Sequence, residues 1–298
     1  MASMDNIDEA IIRQNPAVAV VLAAQSEPRP PVDVHTTDIN TPPRPTKEPR
    51  KFDQAIEENG CKLILAALTP QERASMSDQN LPLRHFRADK GDIDKAIKRI
   101  KYTIQWRNEF NVDTMIRAAH EPTTPEEMQI RDILMKESET GKMYVRGYDR
   151  DGRAILYIYQ KRENSNNPEH NIMHLIYQLE RMTACTERQG YEKSVVILDF
   201  LGWGMKHSSS MALTKATINI LENCYVERIA RVYFTNAPLV FRTFYNMVKP
   251  FLDPVTKAKI VFASGKQGRS EMDKHFDPES CEKCAFGIRD LKGELVLR

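Results

Sequence analysis

The sequence predicts an α/β protein in which an N-terminal helical module precedes a mostly parallel β-sheet. Three observations predict this fold class. Apolar residues recur at helical spacing from Phe52 to about Glu137. At Lys142 the apolar period changes to that of β-strands. From Ser194 onward, short apolar strands alternate with helical segments, which is the pattern of right-handed βαβ units in a parallel sheet.

The first 48 residues are predicted to be a Pro-rich tail. Seven prolines fall between Pro28 and Pro49, among polar residues without sustained periodicity. Such a segment buries too little apolar surface to offset the entropy lost on ordering. We therefore expect residues 1–48 to be disordered or loosely draped over the rest of the protein.

Residues 49–138 are predicted to form the helical module. Four isoleucines from Ile93 to Ile104 recur at i, i+4, i+7 and i+11, on one face of a helix. Asp89 or Asp92 can cap the start of this helix, and Thr124-Pro125 is a start signal for the next one.

Residues 139–298 are predicted to form the sheet and its helices. Two strands joined by Asp151-Gly152 indicate a β-hairpin. A helix from Pro168 to Glu187 follows. The remaining predicted strands are Ser194 to Phe200, Val232 to Phe234, Ile260 to Phe262 and a terminal Glu294 to Leu297.

An amphipathic segment connects the strand at Val232 to the strand at Ile260. It is predicted to be helical from Pro238, because the missing N–H of proline is not needed there, until Pro250 interrupts it. This helix is either an ordinary surface helix on the sheet or a lid over an apolar cavity. Its apolar face carries Phe241, Phe244, Tyr245, Val248 and Phe251.

Composition excludes several classes of protein. A net charge of +2 does not indicate a nucleic-acid partner. Five scattered cysteines fit a reducing compartment better than a disulfide framework. No apolar run is long enough to span a membrane. We therefore expect a cytoplasmic protein.

Catalytic and cofactor motifs are absent from the sequence. It contains no dinucleotide fingerprint, no phosphate loop and no G-x-S-x-G elbow. The pairs His170/His174, Asp149/Asp151 and Cys281/Cys284 lack the further ligands of a metal site, and the two aspartates are typical of a turn. The sequence therefore predicts a binding protein without catalytic residues, metal or cofactor.

Two charged residues stand beside the apolar strands. Glu227 precedes the strand at Val232, and Lys259 precedes the strand at Ile260. They are either solvated loop charges or a pair that faces a buried polar group, since a buried charge must be paired.

From Glu192 to Phe262 the chain closely resembles the CRAL-TRIO family, that is, the yeast-type phosphatidylinositol/phosphatidylcholine transfer proteins. The resemblance rests on VVILDFLG at 195–202, YVER at 225–228, VYFTNAP at 232–238 and KPFLDPVTKAKI at 249–260. Weaker similarity extends back to LRHFRADK at 83–90. The resemblance implies an α/β domain whose sheet floors an apolar pocket, with the helix after Pro238 as a gate that opens at a membrane to exchange one lipid.

The resemblance also implies headgroup ligands. Glu227, Thr256 and Lys259 stand where inositol-lipid-binding members have a glutamate, a threonine and a lysine. A fourth, basic position falls on Asp89, with Lys90 next to it.

Phosphatidylcholine contacts are poorly matched. The two tyrosines and the Ser/Thr pair that serve that lipid in the family correspond to Val145, Leu156, Ser194 and Val196, of which only Ser194 keeps a hydroxyl. A haem-binding branch has a tyrosine where this chain has Phe200, which argues against haem.

The sequence thus predicts a monomeric lipid-transfer protein that visits membrane surfaces and carries phosphatidylinositol rather than phosphatidylcholine. Two alternatives stay open. One is a carrier of another hydrophobe such as a sterol, an isoprenoid or a haem-like molecule. The other is a lipid-sensing interaction module that recruits partners through its tail.

Overall fold

The computed structural model describes residues 39–204 and 207–289. Six helices come first in the chain, within the residues assigned above to the helical module. They are α1 (Gln54–Ala66), α2 (Pro70–Ala74), α3 (Leu81–Ala88), α4 (Ile93–Glu109), α5 (Val112–His120) and α6 (Pro125–Ser138).

Side-chain caps determine where several of these helices begin. The Asp92 carboxylate accepts the backbone N–H of Lys95 at the start of α4, and the Thr124 hydroxyl accepts that of Glu127 at the start of α6. Each cap satisfies a backbone donor that has no partner within the helix. Both predicted helix starts are confirmed.

Five strands form one mixed sheet in the order β1-β2-β3-β4-β5. The hairpin of β1 and β2 is antiparallel, as its Asp-Gly turn predicts, and all later pairs are parallel. The strands are β1 (Met143–Tyr148), β2 (Ala154–Tyr159), β3 (Ser194–Asp199), β4 (Ile229–Thr235) and β5 (Ile260–Ala263).

The crossover helices lie on one face of the sheet. Each parallel connection moves one strand in the same direction, so right-handed crossovers place their helices on the same side. These helices are α7 (Pro168–Arg188), α8 (Met211–Asn223), α9 (Leu239–Val248) and the short α10 (Pro254–Ala258). On the opposite face, α11 (Gly265–Asp273) buries Met272, and Phe276 packs against Tyr233.

Strand register arranges the apolar side chains in rungs across the sheet. One rung joins Leu156, Val196, Val232 and Ile260 in neighbouring strands. The next rung on the same face contains Ile158, Leu198, Phe234 and Phe262. Because side chains alternate between faces along a strand, both rungs point towards α8 and α9.

The helical module does not have a core of its own throughout. Helices α1, α3 and α4 share a cluster around Ile64, Phe86 and Ile100. In contrast, Met115 of α5 and Leu134 of α6 belong to the same core as α7 and the sheet. Helices α5 and α6 therefore pack in the same hydrophobic core as α7 and the sheet.

A buried ionic network joins the helical module to the edge where the parallel strands begin. Arg228 Nη1 lies 2.8 Å from Glu192 Oε2, and its Nη2 lies 3.1 Å from Asp78 Oδ2 and 2.6 Å from Glu187 Oε1. Arg84 of α3 also contacts Asp78 and Glu192, at 2.5 and 2.8 Å. Two guanidinium groups and three carboxylates thus compensate one another away from water.

Residues 39–48, the end of the predicted tail, pack on the rest of the protein. The Lys47 amide donates to the Gly190 carbonyl at 2.8 Å, and the Arg44 amide donates to Asn80 Oδ1 at 2.7 Å. Glu48 is buried, pairs with Arg153 and accepts the backbone N–H of Lys193. This corrects the expectation of a loose tail for these ten residues, because specific hydrogen bonds offset the ordering entropy. Residues 1–38 and the predicted strand at 294–297 lie outside the described residues.

Among the described residues, no helix combines the length and the apolar composition needed to cross a bilayer.

Candidate functional site

An apolar cavity lies between the sheet and helices α7, α8 and α9. The rungs that begin with Leu156 and Ile158 form its floor, and Leu175 of α7 and Leu213 of α8 contribute to its walls. Its volume is about 290 Å³, near the lower end of the roughly 300–1,000 Å³ typical of ligand pockets. The cavity is suited to hydrocarbon rather than to a polar substrate.

Helix α9 closes the cavity with its aromatic face. Phe241, Phe244, Tyr245 and Val248 all line the cavity, as the sequence predicts. The ring of Phe241 lies 5.4 Å from those of Trp203 and Phe234, with near-perpendicular planes in both pairs. These edge-to-face contacts hold α9 against the sheet.

The opposite face of α9 is exposed and carries apolar side chains among polar ones. Leu239 is 81% exposed, and Val240 and Met247 are nearly half exposed. An exposed apolar patch beside a cavity mouth is unusual for a surface without a partner. Arg242 and Asn246 are exposed on the same side, so the outer surface of α9 combines apolar and polar side chains.

Phe251 departs from its predicted place on the inner face. It is 43% exposed and does not line the cavity. The chain leaves α9 through a short 3₁₀ turn, Lys249–Phe251, which turns the ring outward beneath the Lys215 ammonium at 4.3 Å. Its neighbour Leu252 lines the cavity instead.

Lys259 and Thr256 mark the polar end of the cavity. Both line it, at the edge where β5 begins. The Thr256 hydroxyl donates to Asp253 Oδ2 at 2.5 Å, so only its oxygen lone pairs remain for a ligand. Lys259 Nζ has no hydrogen bond or ion pair with any described residue, and burial lowers the pKa of its ammonium group. An unpaired cation at the end of an apolar cavity is a favourable place for an anion.

Glu227 lies beyond Lys259 at the same sheet edge. Its side chain is 7% exposed and forms two ion pairs of 2.8 Å, with Lys51 and with Lys193. Its backbone has a φ of 58°, which is strained for a residue with a Cβ and typical of functional sites. Burial alone would raise the pKa of this carboxyl, but the neighbouring Lys193 and Lys51 lower it to about 2. Glu227 is therefore a buried carboxylate that binds two lysines at once.

Two predicted ligand residues lie elsewhere. Ser194 is fully buried and its hydroxyl is hydrogen-bonded to that of Thr186 in α7 at 2.7 Å, so it is part of the packing between α7 and β3. Lys90 is exposed in the turn between α3 and α4, with a φ of 57°. The neighbouring Asp89 is held by Arg99 at 3.2 Å. Neither Ser194 nor Lys90 lines the cavity, and both predictions are corrected accordingly.

Uncharged polar side chains border the cavity at the opposite sheet edge, where β2 and β3 end. Gln160, Asn171, Ser208 and Ser209 line it there. The two ends of the cavity therefore differ in chemistry: amides and hydroxyls at one edge, a cation and a hydroxyl at the other.

The sequence interpretation missed three residues at the site. Lys193 immediately precedes β3, just as Lys259 precedes β5. Its position next to a predicted strand could therefore have indicated that it lies near Lys259. Trp203 lines the cavity from the loop after β3, where an aromatic residue after a buried strand was a weaker signal. No sequence pattern indicates Lys51, because 176 residues separate it from Glu227.

The weak metal candidates have structural explanations. Asp149 Oδ1 accepts the backbone N–H groups of Asp151 and Arg153, as predicted for an Asx-rich turn. His174 is buried and bonds to Ser138 and Gln178. In the part of the chain that the structure describes, no three potential ligands cluster as a metal site.

Comparison with known proteins supplies independent information. The family model described as "CRAL/TRIO domain" matches residues 138–287, which is half of the chain.

Two curated relatives match more than half of the chain. "CRAL-TRIO domain-containing protein C23B6.04c" of Schizosaccharomyces pombe is 33% identical over 180 residues, covering 60% of this chain and 16% of the relative. "Phosphatidylinositol transfer protein PDR17" of Saccharomyces cerevisiae is 28% identical over 215 residues, covering 70% of this chain and 57% of the relative. The chain thus spans well under two thirds of either relative.

Among solved structures, the crystal structure of Sfh5 matches 72% of this chain and 82% of its own, with a TM-score of 0.52 and 20% identity. At this identity the match supports the fold alone.

Proposed function

This chain belongs to the CRAL/TRIO domain family, and on that premise we propose that it carries one phospholipid, phosphatidylinositol first among them, in the cavity beneath α9. It exchanges this lipid at membrane surfaces, works in the cytoplasm as a monomer, and acts by binding rather than by catalysis. A relative named as a phosphatidylinositol transfer protein supports the choice of lipid.

The observation that carries the proposal is the unpaired Lys259 at the end of an apolar cavity. Its ammonium group has lost part of its hydration and forms no hydrogen bond or ion pair with a described residue, although the charges of Glu227 and Asp253 act on it from farther away. A lipid phosphate would offset that loss while the acyl chains fill the cavity. Thr256 and Glu227 add acceptors within reach of a polyol headgroup, consistent with the roles that their positions imply.

Acyl chains need the cover that the cavity provides. Each CH₂ group left in water costs about 0.8 kcal/mol, so a carrier must enclose most of both chains. The cavity of about 290 Å³ is small for a two-chain lipid. We infer that the structure has the closed form of the gate and that α9 moves outward to admit a lipid.

Helix α9 is suited to this movement because apolar side chains lie on its exposed face as well as on its cavity face. Phe241 and Val248 contact the cavity, while Leu239 and Met247 already face outward. Contact with a bilayer would cover Leu239 and Met247 and accept the aromatic side chains as the helix opens. The exposed Arg242 and Lys249 can meet anionic headgroups at the same time.

Lipid transfer between vesicles tests the proposal. Fluorescent phosphatidylinositol or phosphatidylcholine is placed in donor vesicles, and its arrival in acceptor vesicles is measured. We expect wild-type protein to transfer the inositol lipid, and Lys259→Ala to lower that rate about tenfold, because a lost charge-assisted contact corresponds to about 1.4 kcal/mol or more. Lys266→Ala, at an exposed lysine of α11, is the matched control. Equal rates for wild type and Lys259→Ala would contradict the proposal.

A second candidate is a carrier of a phosphorus-free hydrophobe such as a sterol or isoprenoid. It is favoured by the floor of the cavity, where Leu156 and Val196 provide no hydroxyl, and by the modest volume. Mass spectrometry of lipids extracted from the purified protein separates the two candidates, since only a phospholipid contains phosphorus.

A further inference from the structure

Three charged residues precede three neighbouring strands. Lys193 comes directly before β3, Glu227 two residues before β4, and Lys259 directly before β5. Because β3, β4 and β5 are parallel neighbours, their N-terminal ends lie side by side, about 4.8 Å apart from strand to strand. The three charged residues therefore come together at this end of the sheet. The charges across this edge therefore alternate as cation, anion, cation.

A third lysine reaches this edge from outside the sheet. Lys51, in the segment just before α1, places its Nζ 2.8 Å from Glu227 Oε1, and Lys193 Nζ lies 2.8 Å from Oε2. Lys51 is about two-fifths exposed and Lys193 one-fifth, so both border solvent, whereas Lys259 borders the cavity. The group spans the space between the cavity and the surface.

Positive charge is in excess within this group. Three ammonium groups share one carboxylate, which leaves a formal charge of +2 in a partly desolvated place. Asp253 also acts on Lys259, but its carboxylate is already engaged, because it caps α10 through Val255, the Thr256 amide and the Thr256 hydroxyl. Like charges at short range are unfavourable unless an anion joins them.

We propose that Lys51, Lys193 and Lys259 form a phosphate-binding subsite that selects anionic over zwitterionic lipid headgroups. The inference rests on the proposed function and specifies its headgroup chemistry. The phosphate lies between Lys193 and Lys259, Lys51 closes the site from the solvent side, and Glu227 accepts a headgroup hydroxyl. A quaternary ammonium headgroup is repelled by the same three cations.

The segment before α1 thereby takes on a role in ligand selection. The fourth position, which the resemblance implies to be basic, is Asp89 in this chain, and Asp89 is paired with Arg99. Lys51 supplies positive charge from a different element. It is anchored nearby through its own backbone, since the Lys51 N–H donates to Glu57 Oε1 at 3.3 Å.

The test compares charge-neutral variants in the vesicle assay with the full-length chain. We expect Lys51→Gln and Lys193→Gln each to lower the ratio of phosphatidylinositol to phosphatidylcholine transfer about threefold, and the double variant about tenfold, which corresponds to about 1.4 kcal/mol. Lys62→Gln, at an exposed lysine of α1, should leave the ratio unchanged. The charge-conserving Lys51→Arg and Lys193→Arg should retain most of the selectivity. Thermal unfolding of each variant shows whether it is folded.

A merely structural role for these lysines predicts a different result. In that case the variants lower the unfolding temperature but leave the transfer ratio at its wild-type value. An unchanged ratio in the double variant, with Lys259→Ala still slowing phosphatidylinositol transfer, overturns the subsite and leaves the proposed function standing.

A second arm identifies the source of the phosphate. Calorimetry measures binding of soluble glycerophosphoinositol and of inorganic phosphate to wild type and to the double variant. Binding that the double variant loses, in a protein that transfers no phosphatidylinositol, supports the subsite with a soluble phosphate ester as ligand and overturns the proposed function. The subsite is overturned if wild type binds neither soluble ligand and the transfer ratio of the double variant equals that of wild type.

Discussion

The rings of Phe200 and Phe241 lie 3.9 Å apart between centroids, inclined at 39°. Phe200 follows β3, and Phe241 lies in the first turn of α9. This contact therefore joins α9 directly to the end of a central strand. Under the proposed function, this contact breaks when α9 opens, because aromatic contacts do not depend on strict hydrogen-bond geometry.

Phe241→Ala should loosen the gate. Removal of a buried phenylalanine ring costs about 3–5 kcal/mol where the site cannot collapse, and here the lost contacts are those that hold α9 closed. We expect faster amide hydrogen exchange in residues 239–248 and faster lipid release. Phe276→Ala, on the opposite face of the sheet, is the control: it should lower overall stability without selectively exposing α9. Unchanged exchange in α9 of the Phe241 variant would contradict this role.

The outer face of α9 should determine membrane affinity. Leu239→Ser removes the most exposed apolar side chain of that helix, so binding to vesicles that contain anionic lipid should weaken severalfold, whereas stability should change by less than about 0.5 kcal/mol. Sedimentation with vesicles measures the binding. The matched control is Leu63→Ser, which replaces a half-exposed leucine in α1. Equal loss of binding in both variants would show that α9 is not the contact surface.

Glu227 should contribute a pH-dependent part of the stability. The pKa of its carboxyl is lowered from 4.5 to about 2, chiefly by Lys193 and Lys51 acting against burial. A lowered folded-state pKa stabilises the protein above pH 4.5, and the contribution is lost as the pH falls towards 2. The difference in unfolding free energy between wild type and Glu227→Gln should be at most about 3 kcal/mol at pH 7, since one pKa unit corresponds to about 1.4 kcal/mol.

Urea unfolding at several pH values between 7 and 3 checks this behaviour. Protonated glutamate and glutamine are both uncharged, so the two stability curves should converge as the pH falls. Curves that stay parallel throughout would mean that the charge of Glu227 does not contribute to the unfolding free energy through the nearby lysines.

Arg228 should contribute strongly to stability, because its ion pairs connect the helical module to the sheet. Arg228→Met leaves Asp78, Glu187 and Glu192 short of one buried cation, so we expect a loss of about 3–5 kcal/mol in unfolding free energy. Denaturant unfolding measures it. Arg269→Ala, which removes a surface ion pair with Asp273 at 3.8 Å, should change stability by less than about 1 kcal/mol. Equal losses of unfolding free energy in the two variants would contradict the prediction that the buried ion pairs of Arg228 stabilise the protein more than a surface pair does.

Local sequence signals predicted most of the fold correctly. The isoleucine spacing of α4, the threonine cap of α6 and the Asp-Gly turn between β1 and β2 each depend on residues close together in the chain. The inner face of α9 followed from the same helical periodicity, and four of its five predicted gate residues line the cavity. Phe251 departed from this pattern because the helix changes to a 3₁₀ turn at Lys249, and the helical period no longer applies.

The sequence by itself determined the α/β class, the helix between β4 and β5 with its aromatic face, and the resemblance that singled out Glu227, Thr256 and Lys259. Only the tertiary structure decided which polar groups stand together. Ser194 proved to be hydrogen-bonded to Thr186, Lys90 does not line the cavity, and Lys51 reached Glu227 across 176 residues of sequence. The physical reason is that helix and strand periods express short-range geometry, whereas the balance of charge at a sheet edge depends on which distant segments pack there.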